Sequence, residues 1–534
     1  MSNYDNMSTG QILEAGARQV PSKVAVIDGK RRVTYQELNN LADAFAASLA
    51  DQGFKKGDRV VMYMKNSLEF IVIFYALQKL GVIVAWANPS YRKTEAHFIL
   101  SNSEAKAVFV FKEWEGYNYL EALLELKNEL PLLQSIFVVG EAEVAGVYTF
   151  DAMIKNGQGR KYSKPEINPQ ADLSMFIYTS GTTGIPKGTM ITQAQAAKAG
   201  IQYALGVDAS SEDVFIGFLP MCHSYGCGSI LIQPFLLMAS VVLLEKFSCK
   251  DAFEIIQRER VTLQLGSPAH YLMELNNPDL HNYDLSSLRA GLIAGQIAPE
   301  GLITKVHNDM GVYLTTFWGA SEVGPGLGII CPYPSPLETR EKYIGLPVAG
   351  TAVHVVDPLT KKEMPDGEIG ELALSGWHVM KGYWKNPEET RKQIVDGWLF
   401  MGDLVSKAAD GYLKIHGRIK DLINRGGFKI SPYELESIMM EHPAVEQACV
   451  VATPNPVLGE NICACVIIKP GATLSLKELR EFLKGKVAPF KLPDELCLLN
   501  DFPRLSGGVK INKFGKGGLV ELAQQNENRE KARA

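Results

Sequence analysis

Short apolar runs alternate with helical stretches through the first half of this chain, and that alternation admits few folds. Residues 24–27, 59–64, 82–87, 107–111, 135–139, 214–218, 263–265 and 288–294 are such runs. A strand buried on both faces needs apolar residues at consecutive positions, and strands separated by helices build parallel sheets covered by those helices. Helix starts are marked as well. Thr34 with Glu37 three residues on forms a capping box for a helix to about residue 51, and Asn66 or Ser67 caps the next one, through residue 80. The expected fold is α/β, with layered, mostly parallel sheets and their helices in a large N-terminal domain.

The pattern changes after Gly345. Residues 353–356, 370–375 and 411–416 read as short strands between Gly- and Pro-rich turns, which predicts a small β-rich subdomain over about 345–417. Another break falls at Gly417-Arg418-Ile419-Lys420-Asp421. Beyond it, strands at 445–451, 462–469 and 495–499 and a helix at 476–483 have the size of a separate α+β domain. A chain of 534 residues is too long for one core. The expected division is 1–417 and 418–534.

Composition narrows the function class. A net charge of −5 provides no electrostatic footprint for nucleic acid. The eight cysteines contain no Cys-x-x-Cys pair, and Cys463 and Cys465 alternate in an apolar run that puts both on one buried face. That usage fits a reducing compartment without a disulfide framework. The N-terminus lacks the basic-then-apolar pattern of a signal peptide. The apolar tract 226–244 contains Gln233 and Pro234 and reads as a buried helix running into a strand rather than a transmembrane segment. The expected location is the cytoplasm.

The chemistry begins at residues 178–190, Tyr-Thr-Ser-Gly-Thr-Thr-Gly-Ile-Pro-Lys-Gly-Thr-Met, after the apolar run 173–177. The hydroxyls of Thr179, Ser180, Thr182 and Thr183 crowd around Gly181 and Gly184, with Lys187 close behind. Glycines let backbone N–H groups approach an anion, hydroxyls add donors, and lysine adds a mobile positive charge. Those are the needs of a polyphosphate. The spacing is not that of a Walker loop, where lysine follows glycine and precedes serine or threonine at a helix mouth.

Four later stretches complement this loop. His223 lies in Pro220-Met221-Cys222-His223-Ser224-Tyr225 on a loop after a strand; alone, such a histidine is more often structural. Glu322, in Trp318-Gly319-Ala320-Ser321-Glu322, would repel polyphosphate unless a cation lay between them, which makes it a candidate Mg²⁺ ligand. Asp403 follows glycine and can accept ribose hydroxyls, with Arg418 as a further donor to the same sugar. Lys510 sits in a glycine-rich loop, Ser506-Gly507-Gly508-Val509-Lys510.

Together these stretches resemble the adenylate-forming superfamily of acyl- and aryl-CoA synthetases, luciferase and peptide-synthetase adenylation domains. The most specific segments are residues 178–188, Gly-Arg-x-Lys-Asp at 417–421 and Gly-Tyr-Trp-x-Asn-Pro-Glu-x-Thr at 382–390. The resemblance implies that a carboxylic acid and ATP form an acyl-adenylate and pyrophosphate, and that coenzyme A then takes the acyl group. It implies that Thr179 to Lys187 hold the β- and γ-phosphates, and that Ser321 and Glu322 meet the α-phosphate and Mg²⁺, with Thr182 as a further metal contact. Trp318 would stack on adenine with Gly295 and Gly319 beside the nucleotide, Asp403 and Arg418 would bind ribose, and His223 would line the acyl pocket. Lys510 would be the catalytic lysine, with Lys513 as the alternative. Gly426 and Gly427 would line the coenzyme A tunnel after the C-terminal domain swings about Lys420. Gln193 stands where such proteins commonly carry histidine.

Gly319, where acetate-specific relatives carry tryptophan, implies an acid larger than acetate, medium-chain or aromatic. No Asp in 220–225 pairs an ammonium, which argues against free amino acids. Loading of a carrier-protein phosphopantetheine, a luciferase-like oxygenase and a non-catalytic ATP-binding regulator stay open as alternatives. A homodimer is compatible with the sequence.

Overall fold

The computed structural model describes residues 6–180, 186–504, 511–514, 517–526 and 530–531. Four main sheets carry the chain. The first has nine strands and a parallel centre in which Tyr313–Trp318, Ala290–Ile293, Leu263–Gly266, Val214–Gly217, Ser240–Leu243 and Val24–Asp28 lie side by side in that order. The second has seven, parallel except where Leu173–Ser180 meets Pro186–Thr192. The third is a five-stranded antiparallel sheet including Ile369–Gly376, Trp398–Lys407 and Leu413–Arg418. The fourth has six strands and begins at Ile423.

The helix signals work as their chemistry requires. Thr34 Oγ1 accepts from the Glu37 N–H at 3.2 Å while Glu37 Oε2 accepts from the Thr34 N–H at 2.8 Å, opening helix Tyr35–Asp51. Ser67 Oγ accepts from the Phe70 N–H at 3.1 Å and opens Leu68–Lys79. From Phe70 to Lys79 every residue of that helix is buried, so it is a core helix packed on all sides. The main core joins it to residues of the first two sheets.

The tract 226–244 is a buried helical segment followed by the strand Ser240–Leu243, and its middle, Cys227–Ile232, is a π-turn. Among the described residues no helix is long and apolar enough to cross a membrane. All eight cysteines are free and buried. Cys449, Cys465 and Cys497 face one another across three neighbouring strands, and Cys463 joins them in one apolar cluster.

Candidate active site

The loop 181–185, which holds Gly181, Thr182, Thr183 and Gly184, lies outside the described residues; its two flanks do not. Leu173–Ser180 and Pro186–Thr192 are antiparallel, with Thr179 opposite Lys187 and Ser180 opposite Pro186. The phosphate-type loop therefore joins two strands. A Walker loop opens a helix, so the local fold agrees with the departure in lysine spacing. The same Leu173–Ser180 strand runs parallel to Ile83–Trp86, so the loop emerges at the carboxyl edge of the second sheet.

Three other motifs emerge at the carboxyl edge of the first sheet. His223 follows Val214–Gly217, Gly295 follows Ala290–Ile293, and Gly319 with the turn Ser321–Val323 follows Tyr313–Trp318. Parallel sheets put ligand-binding loops at this edge. His223 is exposed, and its Nδ1 accepts from the Tyr225 N–H at 3.4 Å, capping the short helix that leads into the π-turn. Gly295 has a φ of +87°, a left-handed conformation that favours glycine. At Gly319 a Cβ would lie 2.8 Å from the Gly326 carbonyl oxygen, so that glycine lets the two arms of a turn close on each other.

The segment 380–384 ties the two edges together. The Met190 N–H donates to the Gly382 carbonyl at 2.9 Å and the Trp384 N–H to the Gly188 carbonyl at 2.7 Å, so the segment runs beside the lysine strand. Its Met380 N–H donates to the Glu322 carbonyl at 2.8 Å. The Tyr383 hydroxyl donates to Glu322 Oε1 at 2.8 Å. Glu322 is buried, and its Oε2 takes no hydrogen bond among the described residues. Ser321, beside it, is half-buried.

Lys187 pairs with Glu389 and lies 5.4 Å from the centre of the Tyr383 ring. Hydrogen bonds from Lys187 and Lys392 hold the Glu389 carboxyl down at about 2. Asn386 Oδ1 caps the helix Pro387–Gln393 by accepting from the Glu389 N–H at 3.1 Å, with Pro387 at its first position. The conspicuous motif 382–390 is thus a scaffold that presents Tyr383 to the acid and Glu389 to the lysine.

The third sheet contributes Asp403, only 2% exposed. It stands directly across from Arg418, whose Nε donates to Oδ1 at 2.8 Å. Trp318 Nε1–H donates to Oδ2 at 3.2 Å, so the tryptophan expected beside adenine is locked to the acid expected on ribose. Asp403 raises the affinity of Arg418 for its proton, and Glu322 and Asp421 act in the same direction.

The fourth sheet's unit meets the first sheet's edge through Tyr433, whose hydroxyl donates to the Ala298 carbonyl at 3.3 Å. Lys420 is exposed in the 3₁₀ turn Ile419–Asp421 between Arg418 and that unit. Gly426 and Gly427, with φ of +58° and +87°, form the two-residue tip of a hairpin and are exposed. Among the described residues, no atom beyond its chain neighbours lies within 4 Å of where a side chain at Gly427 would start, so none of the described motifs packs against the tip there. Lys510 lies outside the described residues. The stretch containing it is bounded by Arg504 and Ile511, which pair as a β-bridge. Burial, with the Arg504 charge adding to it, pushes His270 down to about 4 where it packs on Phe218. Lys513 donates to Glu436 at 2.9 Å.

The geometry therefore collects Lys187, Glu322 and the Asp403–Arg418 pair from different sheets at one rim. Residues 13–384 match the AMP-binding enzyme family, and residues 434–508 match the AMP-binding enzyme C-terminal domain. The chain belongs to the AMP-binding enzyme family. It is 33% identical to the medium-chain fatty-acid–CoA ligase of Escherichia coli (strain K12), over 96% of this chain and 90% of that one. The anthranilate CoA ligase AuaEII in complex with anthranoyl-AMP has the same fold, with a TM-score of 0.86 at 27% identity and 95% and 96% of the two chains covered. ATP-bound MatB from Rhodopseudomonas palustris also gives 0.86, at 25% identity over 97% and 99%.

In this AMP-binding enzyme the sequence flagged the 382–390 motif without a role for Tyr383 or Glu389. Their partners, Glu322 and Lys187, lie 61 and 202 residues away, beyond the reach of local spacing. Gln193 resolves differently. It is wholly buried, accepts from the Thr9 N–H at 3.0 Å and donates to Gln78 Oε1 at 3.0 Å, joining the N-terminal helix to the core helix.

Proposed function

We propose that this chain is an AMP-forming acid–CoA ligase that activates a carboxylic acid larger than acetate, medium-chain or aromatic. The observation that carries the reading is the rim itself, where the lysine hairpin, buried Glu322 and the Asp403–Arg418 pair converge. In the first step an acid oxygen attacks the α-phosphorus of ATP, and the bond to the departing pyrophosphate breaks. In the second, the thiol of coenzyme A attacks the acyl carbon of the adenylate and AMP leaves.

Each residue's part follows from its surroundings. Lys187 exchanges Glu389 for phosphate oxygens, a charge-assisted contact of the same kind. Asp403, held by Trp318 and Arg418, meets the ribose hydroxyls, while Trp318 supports adenine beside Gly295 and Gly319. Ser321 reaches the α-phosphate, and His223 lines the acyl entrance. Lys510 joins the acid and α-phosphate, offsetting charge as two anions are pressed together.

Magnesium belongs to the same reading. No cluster of three or more His, Cys, Asp or Glu side chains able to hold a metal ion occurs among the described residues. One carboxylate completed by phosphate oxygens and water is the usual way this ion is held, and Glu322 Oε2 suits that role with the Thr182 hydroxyl. When bound, the ion neutralises phosphate charge.

The reading divides the chain at about residue 417, with 1–417 (including the β-rich part from 345) as the adenylating domain and 418–534 as a mobile one hinged at Lys420. After the swing, Gly426 and Gly427 line the path of the thiol. We place the enzyme in the cytoplasm, and a homodimer is compatible with it. A panel of carboxylic acids assayed for AMP release with and without coenzyme A tests the function. Acid-dependent AMP release that requires coenzyme A is expected. Turnover with a phosphopantetheinyl carrier protein in place of coenzyme A would instead indicate carrier loading, and ATP binding without acid-dependent AMP release would overturn the reading.

A further inference from the structure

The two residues that flank 505–510 lie side by side, since Arg504 and Ile511 form a β-bridge. The Asn512 N–H strengthens this base by donating to the Pro503 carbonyl at 2.7 Å. Just past the base, the Lys513 ammonium donates to Glu436 Oε1 at 2.9 Å, and the Val450 N–H donates to the same oxygen at 2.8 Å. The two charged side chains are only 21% and 19% exposed. Burial opposes the charge on Lys513, but Glu436, with Cys449 and Asp421 adding to it, raises its affinity for the proton. The Lys513 carbonyl accepts from the Val520 N–H at 3.1 Å, so the backbone is fixed here as well.

Glu436 belongs to helix Pro432–Met439, which sits against the rest of the protein at two points. At its start the Ser431 hydroxyl donates to the His416 carbonyl at 2.8 Å, and one turn on the Tyr433 hydroxyl donates to the Ala298 carbonyl at 3.3 Å. Tyr433 and Glu436 are three residues apart and so are neighbours on one helix face. A continuous series of contacts thus runs from the first sheet's edge through Tyr433, the helix and Glu436 to Lys513 and the base. Cutting Lys513 from Glu436 would leave the base intact but free it to shift against the helix. Misplacing a reacting group by on the order of 1 Å costs about a hundredfold in rate.

We infer that Lys513 is a positioning residue for Lys510: its ion pair with Glu436 ties the base of the 505–510 stretch to the helix that docks on the first sheet's edge. This rests on the proposed acid–CoA ligase reading. The experiment uses the acid of the panel that the wild type turns over fastest, octanoate and benzoate among those tried. Lys513→Met, which removes the charge and keeps the length, lowers the kcat of acid-dependent ATP–pyrophosphate exchange by about ten- to a hundredfold. The KM for ATP and thioester synthesis from isolated acyl-adenylate stay at the wild-type level, because only the first step uses Lys510. Lys513→Arg, which can keep the pair, retains most of the exchange. Added to Lys510→Ala, Lys513→Met causes no further loss, since a residue acting through another is not additive with it. If Lys513→Met does not fold, Lys513→Met with Glu436→Gln, which removes both charges, is read in the same way. Unchanged exchange in a folded variant, equal losses in both half-reactions, or a further loss on top of Lys510→Ala overturns the inference and leaves the ligase reading standing. A wild type that shows exchange with no acid in a broad panel overturns both.

Discussion

Glu322 gains its hydrogen bond from Tyr383, and that one contact shows what a side chain at the rim is for. The tyrosine occupies Oε1, and Oε2 takes no hydrogen bond among the described residues. Hydrogen bonds to charged groups contribute roughly 1.5–3 kcal/mol, about a tenfold effect or more on an equilibrium. Tyr383→Phe keeps the ring beside Lys187 and removes only the donor. The magnesium concentration for half-maximal adenylation should rise about tenfold in this variant, and excess magnesium should restore the rate. Steady-state kinetics at varied magnesium measure this. A lowered rate with unchanged magnesium dependence would mean that Tyr383 only packs. Residue chemistry of this kind was half legible. Glu322 and Lys187 stand in recognisable local contexts, whereas Tyr383 has meaning only once the fold lays its segment along the lysine strand.

At the scale of elements, the junction of strand Leu263–Gly266 and helix Pro268–Leu275 holds a buried acid that the proposed reaction does not use. Glu274 accepts from Gln264 Nε2 at 2.9 and 2.8 Å, while Gln264 Oε1 has no partner among the described residues. Burial pushes the Glu274 carboxyl up to about 8. A folded-state value raised above the ordinary carboxylate range means that the fold binds a proton the unfolded chain has lost. Stability from this site is therefore present below about 4.5 and falls as pH rises through about 8. Glu274→Gln removes the charge and can pair amide to amide with Gln264, satisfying the orphaned oxygen. Its Tm should exceed that of the wild type by an amount that grows between pH 5 and 8 and then levels off, with the proton binding implied by the raised carboxyl. Thermal unfolding across that range checks it, and a pH-independent difference would remove the protonation argument. Cap residues made the helix starts readable in advance. The π-turn at Cys227–Ile232 was not readable, because periodicity cannot show one extra residue per turn inside a tract that is buried on all sides.

For the whole molecule, the decisive feature is that one chain must serve two steps. The Tyr433–Ala298 contact puts one side of the C-terminal unit at the first sheet's edge, while the Gly426-Gly427 tip is exposed. Lys420 lies in a 3₁₀ turn, whose φ is close to the −65° that proline imposes. Lys420→Pro should hold this arrangement. It should keep acid-dependent ATP–pyrophosphate exchange near the wild-type rate and lose thioester synthesis from isolated acyl-adenylate by about tenfold or more, as expected when one of two conformers is excluded. Equal, modest losses in both half-reactions of a folded variant would sink the hinge assignment.

The sequence by itself determined the α/β class, the main strand runs, the capped helices and the motifs of the AMP-binding enzyme family. These are written locally. A buried parallel strand must be apolar at successive positions, a cap must carry an oxygen, and a loop around phosphate must carry glycine and hydroxyls within a few residues. Tertiary structure alone decided which distant motifs meet. It set Glu389 on Lys187, Tyr383 on Glu322 and Trp318 on Asp403, and made Gln193 a core tie. Those contacts follow from the order of strands within the sheets, and that order is chosen by burial summed over the whole core, which no single stretch of chain carries.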